Sequence, residues 1–222
     1  MYSWLFRYKL IRDSIYKSLN VLTTGRYKKV LDIGCGNKKY KNLIECANYV
    51  GIDRFTGHGE GSNPDIISDA SALPFGKSCF DFVLCTEVLE HVADPIQVFS
   101  EMNRVLAKGG QLVLSTPLFW PVHEAPYDYY RFTEYGLRHL LIKNGFKVDN
   151  IIYRGGYGAV ATALYINHFE RFIPSAKIFQ GTFDLFCGLL QYVAFAYDKM
   201  VSSPNIYYGC TIKAVKIENT YC

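Results

Sequence analysis

Several features common in other protein classes are missing from this chain, and each absence excludes something. No block of like charges runs along it: 24 Lys and Arg nearly balance 20 Asp and Glu, for a formal charge of +4. Without a basic stripe, a dedicated nucleic-acid surface is disfavoured. The seven cysteines (Cys35, Cys46, Cys79, Cys85, Cys187, Cys210, Cys222) never fall two or three positions apart, which excludes a zinc knuckle and a CxxC redox pair. Several sit inside apolar runs, as buried thiols in a reducing compartment do. No secretory signal is legible, because Arg7, Lys9, Arg12 and Asp13 interrupt every candidate apolar segment near the N-terminus. The aromatic stretch Phe179 to Met200 has a charge-free core of thirteen residues, Leu185 to Tyr197, short of the ~20 that a bilayer span needs. A cytoplasmic protein is expected.

What is present supports a large core. Half of the 222 residues are hydrophobic, enough for one α/β domain with an elaboration at the usual ~150 residues per domain. The 18 Tyr and 15 Phe lie mostly after residue 117. Residues 1–28 form a separate first unit, a basic amphipathic helix: Trp4, Tyr8, Ile11, Ile15, Leu19 and Leu22 fall at helical spacing, with Arg7, Lys9, Arg12 and Lys17 mostly off that stripe. Such a helix either packs on the domain of residues 29–222, covering a ligand, or attaches to an anionic membrane surface.

The run Val30-Leu31-Asp32-Ile33-Gly34-Cys35-Gly36-Asn37 reads as a short buried strand entering a glycine turn that lets a ligand approach the backbone. A helix is expected over residues 39–46, its free N–H groups facing the ligand. Tyr49 to Asp53 reads as a second strand, and Asp53, seventeen residues past Gly36, either accepts ribose hydroxyls or ends the strand as a turn aspartate. Residues 55–64 read as a mobile loop. Asp65 to Ala70 gives a third short strand, with Asp69 and the Ala70 amide placed for an adenine edge or a cap. Cys79 to Cys85 is a fourth strand, Asp94 caps a helix beginning at Pro95, Gly109-Gly110 ends that helix, and Gln111 to Ser115 is a fifth strand. Near-continuous apolar strands alternating with helices predict a doubly wound, mostly parallel sheet covered on both faces.

In this order VLDIGCGN (30–37), GID (51–53), DASALPF (69–75), CFDFVLCTEVLEHVADP (79–95) and RVLAKGGQLVLSTP (104–117) resemble the class I S-adenosylmethionine-dependent methyltransferases, in particular the type 11 group, over roughly residues 29–153. The resemblance implies a Rossmann-like sheet of seven strands, the last antiparallel, and S-adenosylmethionine as cofactor. It implies that Asp32, Gly34, Cys35 and Gly36 line the methionine part, Asp53 the ribose, Asp69 and Ala70 the adenine, and Cys85, Thr86 and Glu87 the sulfonium. Lys38 departs from the small residue usual in the first loop. Glu87, Glu90 and His91 look like metal ligands or an acid–base set, since positions four apart share a helical face. No second ligand cluster accompanies them in the sequence, and in this family the segment packs the strand-to-helix turn, so no metal is expected.

After the fifth strand comes the aromatic segment 118–132, which in a doubly wound sheet leaves the same edge as the glycine turn and roofs the site. Trp120, Tyr127 and Tyr130 are candidate pocket walls, His123 the candidate base, and Arg131 either an anion receptor or a partner of Asp128 or Glu134. A purely structural aromatic loop is the alternative. Thr133 caps the next helix, Gly145 ends it, and Phe146 to Tyr153 is strand six. Residues 155–206 are a helical insert before a last strand at Tyr207 to Ile217, with Gly155 to Gly158 as a hinge, a helix over Ala159 to Phe172, and a buried or interfacial helical pair that lines the pocket or makes a homodimer surface. Peripheral membrane contact is the alternative.

The expected activity is methyl transfer from S-adenosylmethionine to a small-molecule or lipid-linked acceptor, most readily at oxygen. The competing readings are a non-catalytic cofactor-binding scaffold and an NAD-dependent oxidoreductase. The latter needs glycine at position 39, where Lys39 stands.

Overall fold

The apolar runs lie side by side in one sheet. The computed structural model describes residues 7–54, 63–201 and 205–217, with strands β1 (Arg26–Ile33), β2 (Glu45–Asp53), β3 (Ile66–Ile67), β4 (Phe80–Thr86), β5 (Leu106–Pro117), β6 (Phe146–Arg154) and β7 (Gly209–Lys216). Their order is β3-β2-β1-β4-β5-β7-β6, with β7 antiparallel to both neighbours and the other pairs parallel. The chain therefore adopts the expected Rossmann-like sheet.

Successive side chains of a strand point to opposite faces, and β4 shows the consequence. Val83 and Cys85 enter a core with Val98, Phe99 and Met102 of α2 (Pro95–Val105) and Leu137 and Leu141 of α3 (Glu134–Lys143). Phe82 and Leu84 face the other way, against Ile15, Leu19 and Leu22 of the N-terminal helix. Both expected caps are made: Asp94 Oδ1 accepts the Gln97 N–H at 3.1 Å, and Thr133 Oγ1 the Gly136 N–H at 3.2 Å.

The helix expected over residues 39–46 is absent. A 3-10 turn at Lys41–Leu43 leads directly into β2, and Tyr40 and Ile44 are buried against Leu19 and Leu22. Only eight residues separate Gly36 from Glu45, too few for a helix and its return. The N-terminal helix, numbered here α1 (Lys9–Leu22), covers that face instead, anchored by Ser18 Oγ to Thr211 Oγ1 at 2.7 Å. The donors at the glycine turn are thus loop amides rather than a helix end. A second correction concerns Gly109-Gly110: α2 already ends at Val105, and β5 starts at Leu106, five residues earlier than expected, with a register shift opposite Phe80 to Phe82.

The insert forms a pair, α4 (Tyr157–Glu170) and α5 (Lys177–Met200). Gly155 to Gly158 is a clamp rather than a hinge: Asp198 of α5 accepts the N–H groups of Gly156, Gly158 and Ala159 at 2.7–2.9 Å. A Cβ at Gly156 would stand 2.8 Å from the Asp198 carboxylate, so the close approach requires glycine. Of α5, Cys187, Gly188, Gln191 and Ala194 are buried, whereas Leu185, Leu189, Tyr192 and Val193 are exposed. Of the expected buried or interfacial pair, α5 is buried along one stripe and exposed along the rest. At 24 residues α5 is long and apolar enough to cross a membrane by length and composition, although its buried stripe and Asp198 tie it to the domain. Residues 1–6, with Trp4, most of the 55–64 loop, and Cys222 lie outside the described residues.

Candidate active site

Parallel strands deliver their carboxyl ends to one edge, and there β1, β2 and β4 open into a cavity of about 620 Å³, within the size range of small-molecule sites. It is bordered by Gly34, Asp53, Asp69 and Ala70 on one side and by Glu87, His91, Glu124 and Tyr127 on the other. Gly34 has φ +68°, and a Cβ there would lie 2.2 Å from Val88 Cγ2, so backbone conformation and space both demand glycine. The Gly36 N–H donates to Asp53 Oδ2 at 2.9 Å, while Cys35 N–H donates to Ile52 O. The turn is held against the end of β2 by these two bonds.

Asp69 accepts from the Ser71 N–H and hydroxyl through Oδ1, and its other oxygen stands 3.5 Å from Arg54 Nε. Those contacts hold its carboxyl below the usual carboxylate range, the Ser71 hydroxyl contributing most. The Arg54 guanidinium in turn lies 5.2 Å from the Tyr127 ring centroid, across the cavity mouth.

Asp32 does not border the cavity. Its even position in β1 sends it to the α1 face, where it is 1% exposed and Oδ2 accepts the Tyr49 hydroxyl at 2.5 Å. Oδ1 has no hydrogen-bond partner, and burial pushes the carboxyl up to about 7. Lys39, its own pKa lowered by burial, lies near enough to oppose that rise. Cys35 and Cys85 are buried thiols pushed up by desolvation. With Thr86 they lie beneath the cavity rather than on its wall. Lys38 adopts φ +57° and reaches across to Asp65, away from the cavity. Glu87, at φ +53°, does line the wall, and its Oε1 accepts from Ser115 Oγ at 2.7 Å and Arg154 Nη2 at 2.8 Å.

The roof loop divides. Tyr127 and Tyr129 line the cavity. Trp120 is turned to the far side, edge-on to Tyr8 and Tyr208. Tyr130 donates its hydroxyl to Ala93 O at 3.0 Å and packs on Phe132. Arg131 is committed within the loop: it holds both oxygens of Asp128 at 2.6 and 2.7 Å and donates to the carbonyls of Trp120, Pro121 and Tyr130. Trp120, Tyr130 and Arg131 therefore shape the loop instead of walling the pocket, because their polar and aromatic faces are already occupied. Asp128, held well below its normal range by Arg131, accepts the His123 N–H at 2.9 Å and lies 3.4 Å from His123 Nδ1. The His123 ring stands against that of His91, which does reach the cavity.

Arg54 and Arg154 are site residues that the sequence alone did not single out. Arg54 and Arg154 had one available signal, a basic residue closing an apolar strand at the carboxyl edge.

The residues present fit an adenosyl cofactor: Gly34 leaves room no side chain would, and the Asp53 and Asp69 carboxylates stand together at the rim. Fold and site thus define a Rossmann-like cofactor-binding domain. Residues 31–114 match the methyltransferase domain of the type 11 family, and the sheet order fits the Rossmann-like fold of S-adenosylmethionine-dependent methyltransferases. The chain is similar to a ubiquinone biosynthesis O-methyltransferase of Pseudomonas aeruginosa, 34% identical over 108 residues, covering 40% of this chain and 44% of that protein. It is also similar to a ubiquinone/menaquinone biosynthesis C-methyltransferase of Hahella chejuensis, 36% identical over 97 residues, covering 42% and 39%. The matches span less than half the length of either relative. A Haemonchus contortus phosphoethanolamine N-methyltransferase solved with S-adenosyl-L-methionine shares the fold, with TM-score 0.56 and 15% identity over 96% of this chain and 57% of that one.

Proposed function

We propose that this protein transfers the methyl group of S-adenosylmethionine to a hydroxyl of a small-molecule or lipid-linked acceptor. The observation that carries the reading is the grouping of Gly34, Asp53, Asp69 and Ala70 around one cavity at the carboxyl edge of the sheet. Bound there, the cofactor would supply an electrophilic methyl on a sulfonium. The chain's part is to bind, orient and keep water out. Asp53 offers carboxylate oxygens to the ribose, and Asp69 and the Ala70 amide offer an edge to the adenine. Val88, Val92 and Tyr127 supply apolar wall. His123, held by Asp128 beside the cavity residue His91, would take the acceptor proton.

A lipid-linked acceptor is favoured by the exposed apolar face of α4 and α5, where Tyr165, Phe169, Leu189, Tyr192 and Val193 share the surface with Lys177 and Lys199, and by the ubiquinone pathway in the relatives' names. The proposed place of action is the cytoplasmic surface of a membrane. Incubation with methyl-labelled S-adenosylmethionine and a catechol or hydroxylated quinone tests the reaction. Label in the acceptor's ether fraction supports it, and label found on carbon or nitrogen overturns the oxygen assignment. Failure to co-sediment with anionic vesicles at low salt, or a dimer that buries this face, would remove the membrane.

A further inference from the structure

The sequence offers Glu87, Glu90 and His91 close together but no ligand from another part of the chain. Folding supplies one. The roof loop returns over the segment after β4, its Tyr129 and Tyr130 N–H groups both donating to Glu90 O at 2.8 and 3.2 Å. This brings His123 onto His91 with ring centroids 4.6 Å apart. A carboxylate oxygen of Glu90 and one ring nitrogen each of His91 and His123 all lie within 4.8 Å of one another.

Three details point to a ligand. The Glu90 side chain is fully buried, and neither carboxylate oxygen has a hydrogen-bond partner. Such a group is normally satisfied by a donor or a cation. His91 Nδ1 stands 2.9 Å from Tyr127 O. A carbonyl can only accept, so Nδ1 carries the proton and Nε2 is left with its lone pair, the arrangement that orients metal-bound imidazoles. Nε2 lies 3.9 Å from Glu90 Oε1 and 3.9 Å from Glu124 Oε2, which gives the cluster a fourth donor, an oxygen on an exposed, movable side chain.

We propose that Glu90, His91 and His123 bind a divalent transition-metal ion, with Glu124 as an optional fourth ligand, at the wall of the cofactor cavity. Two imidazoles and a carboxylate are the donor set of open zinc sites, and the same mixture suits other borderline divalent ions. Donors around a tetrahedral ion with bonds near 2.1 Å stand roughly 3.4 Å apart, so the cluster closes by small side-chain rotations. His91 and Glu124 line the cavity, which turns the open position toward the acceptor. The ligand class there is a hydroxyl oxygen, and on this point the inference rests on the O-methylation reading. His123 then acts through the ion rather than as a free base.

The test uses the full chain stripped with chelator and titrated with Zn²⁺ by calorimetry and with Co²⁺ by visible absorption. One ion should bind per chain, Co²⁺ with ligand-field bands of nitrogen and oxygen donors. Glu90→Gln and His123→Gln should each weaken it by more than about tenfold, the lower end even for losses outside the direct ligands. S-adenosylmethionine titrated into the same variants shows whether they are folded and whether the cofactor reading survives independently. No stoichiometric binding, wild-type affinity in both variants, or a thiolate-to-cobalt band assigning the ion to cysteine would each overturn the proposal.

Discussion

Asp53 Oδ2, at the end of β2, receives the backbone N–H of Gly36, seventeen residues earlier in the chain, at 2.9 Å. One carboxylate therefore fixes the glycine turn and faces the cavity. Asp53→Ala should weaken S-adenosylmethionine binding by roughly tenfold to a hundredfold, as expected for charge-assisted hydrogen bonds of ~1.5–3 kcal/mol. Calorimetry reads this, and an unchanged dissociation constant would remove Asp53 from the site.

Gly34 meets Val88 more closely than any side chain allows. Gly34→Ala is expected to abolish measurable cofactor binding and to lower the melting temperature. Adding Val88→Ala relieves the clash but not the left-handed backbone, which costs ~1–2 kcal/mol for an L-residue. The double variant should recover stability more than it recovers cofactor affinity, as seen by thermal denaturation beside titration.

Asp32 makes stability depend on pH in a definite direction. Its carboxyl is pushed up to about 7 in the fold from an ordinary 3.8, so the folded state keeps a proton that the unfolded chain has lost. Stability falls as pH rises between those values, by on the order of 4 kcal/mol for this group. Asp32→Asn should match the wild type near pH 4 and exceed it at pH 8 in urea denaturation.

Arg131 holds Asp128, and Asp128 holds His123. Arg131→Lys loses the two-pronged bond and should raise the acceptor KM while leaving cofactor affinity unchanged. If Arg131 instead received an anionic acceptor directly, the effect would vanish with an uncharged acceptor, which a comparison of the two acceptors measures.

The cofactor half of the site was legible because its determinants are local: a glycine turn, a strand-ending acid and a second acid at the carboxyl edge of parallel strands. The acceptor half was not. Trp120, Tyr130 and Arg131 have the right chemistry for a pocket, yet their orientation depends on partners such as Tyr8, Phe132 and Asp128, which no spacing rule specifies. The missing helix after Gly36 has the same origin. Local pattern favoured it, but α1, which precedes β1, covers that face once folded. His91 and His123 are 32 residues apart and meet only because the roof loop hydrogen-bonds to Glu90 O.

The central claim is that the cavity beside Gly34 and Asp53 takes S-adenosylmethionine. Parallel calorimetric titrations of the intact chain with S-adenosylmethionine and with NAD test it most directly. One-to-one binding of S-adenosylmethionine, weakened by Asp53→Ala and absent in Gly34→Ala, is the predicted result, and binding of NAD without S-adenosylmethionine would contradict it.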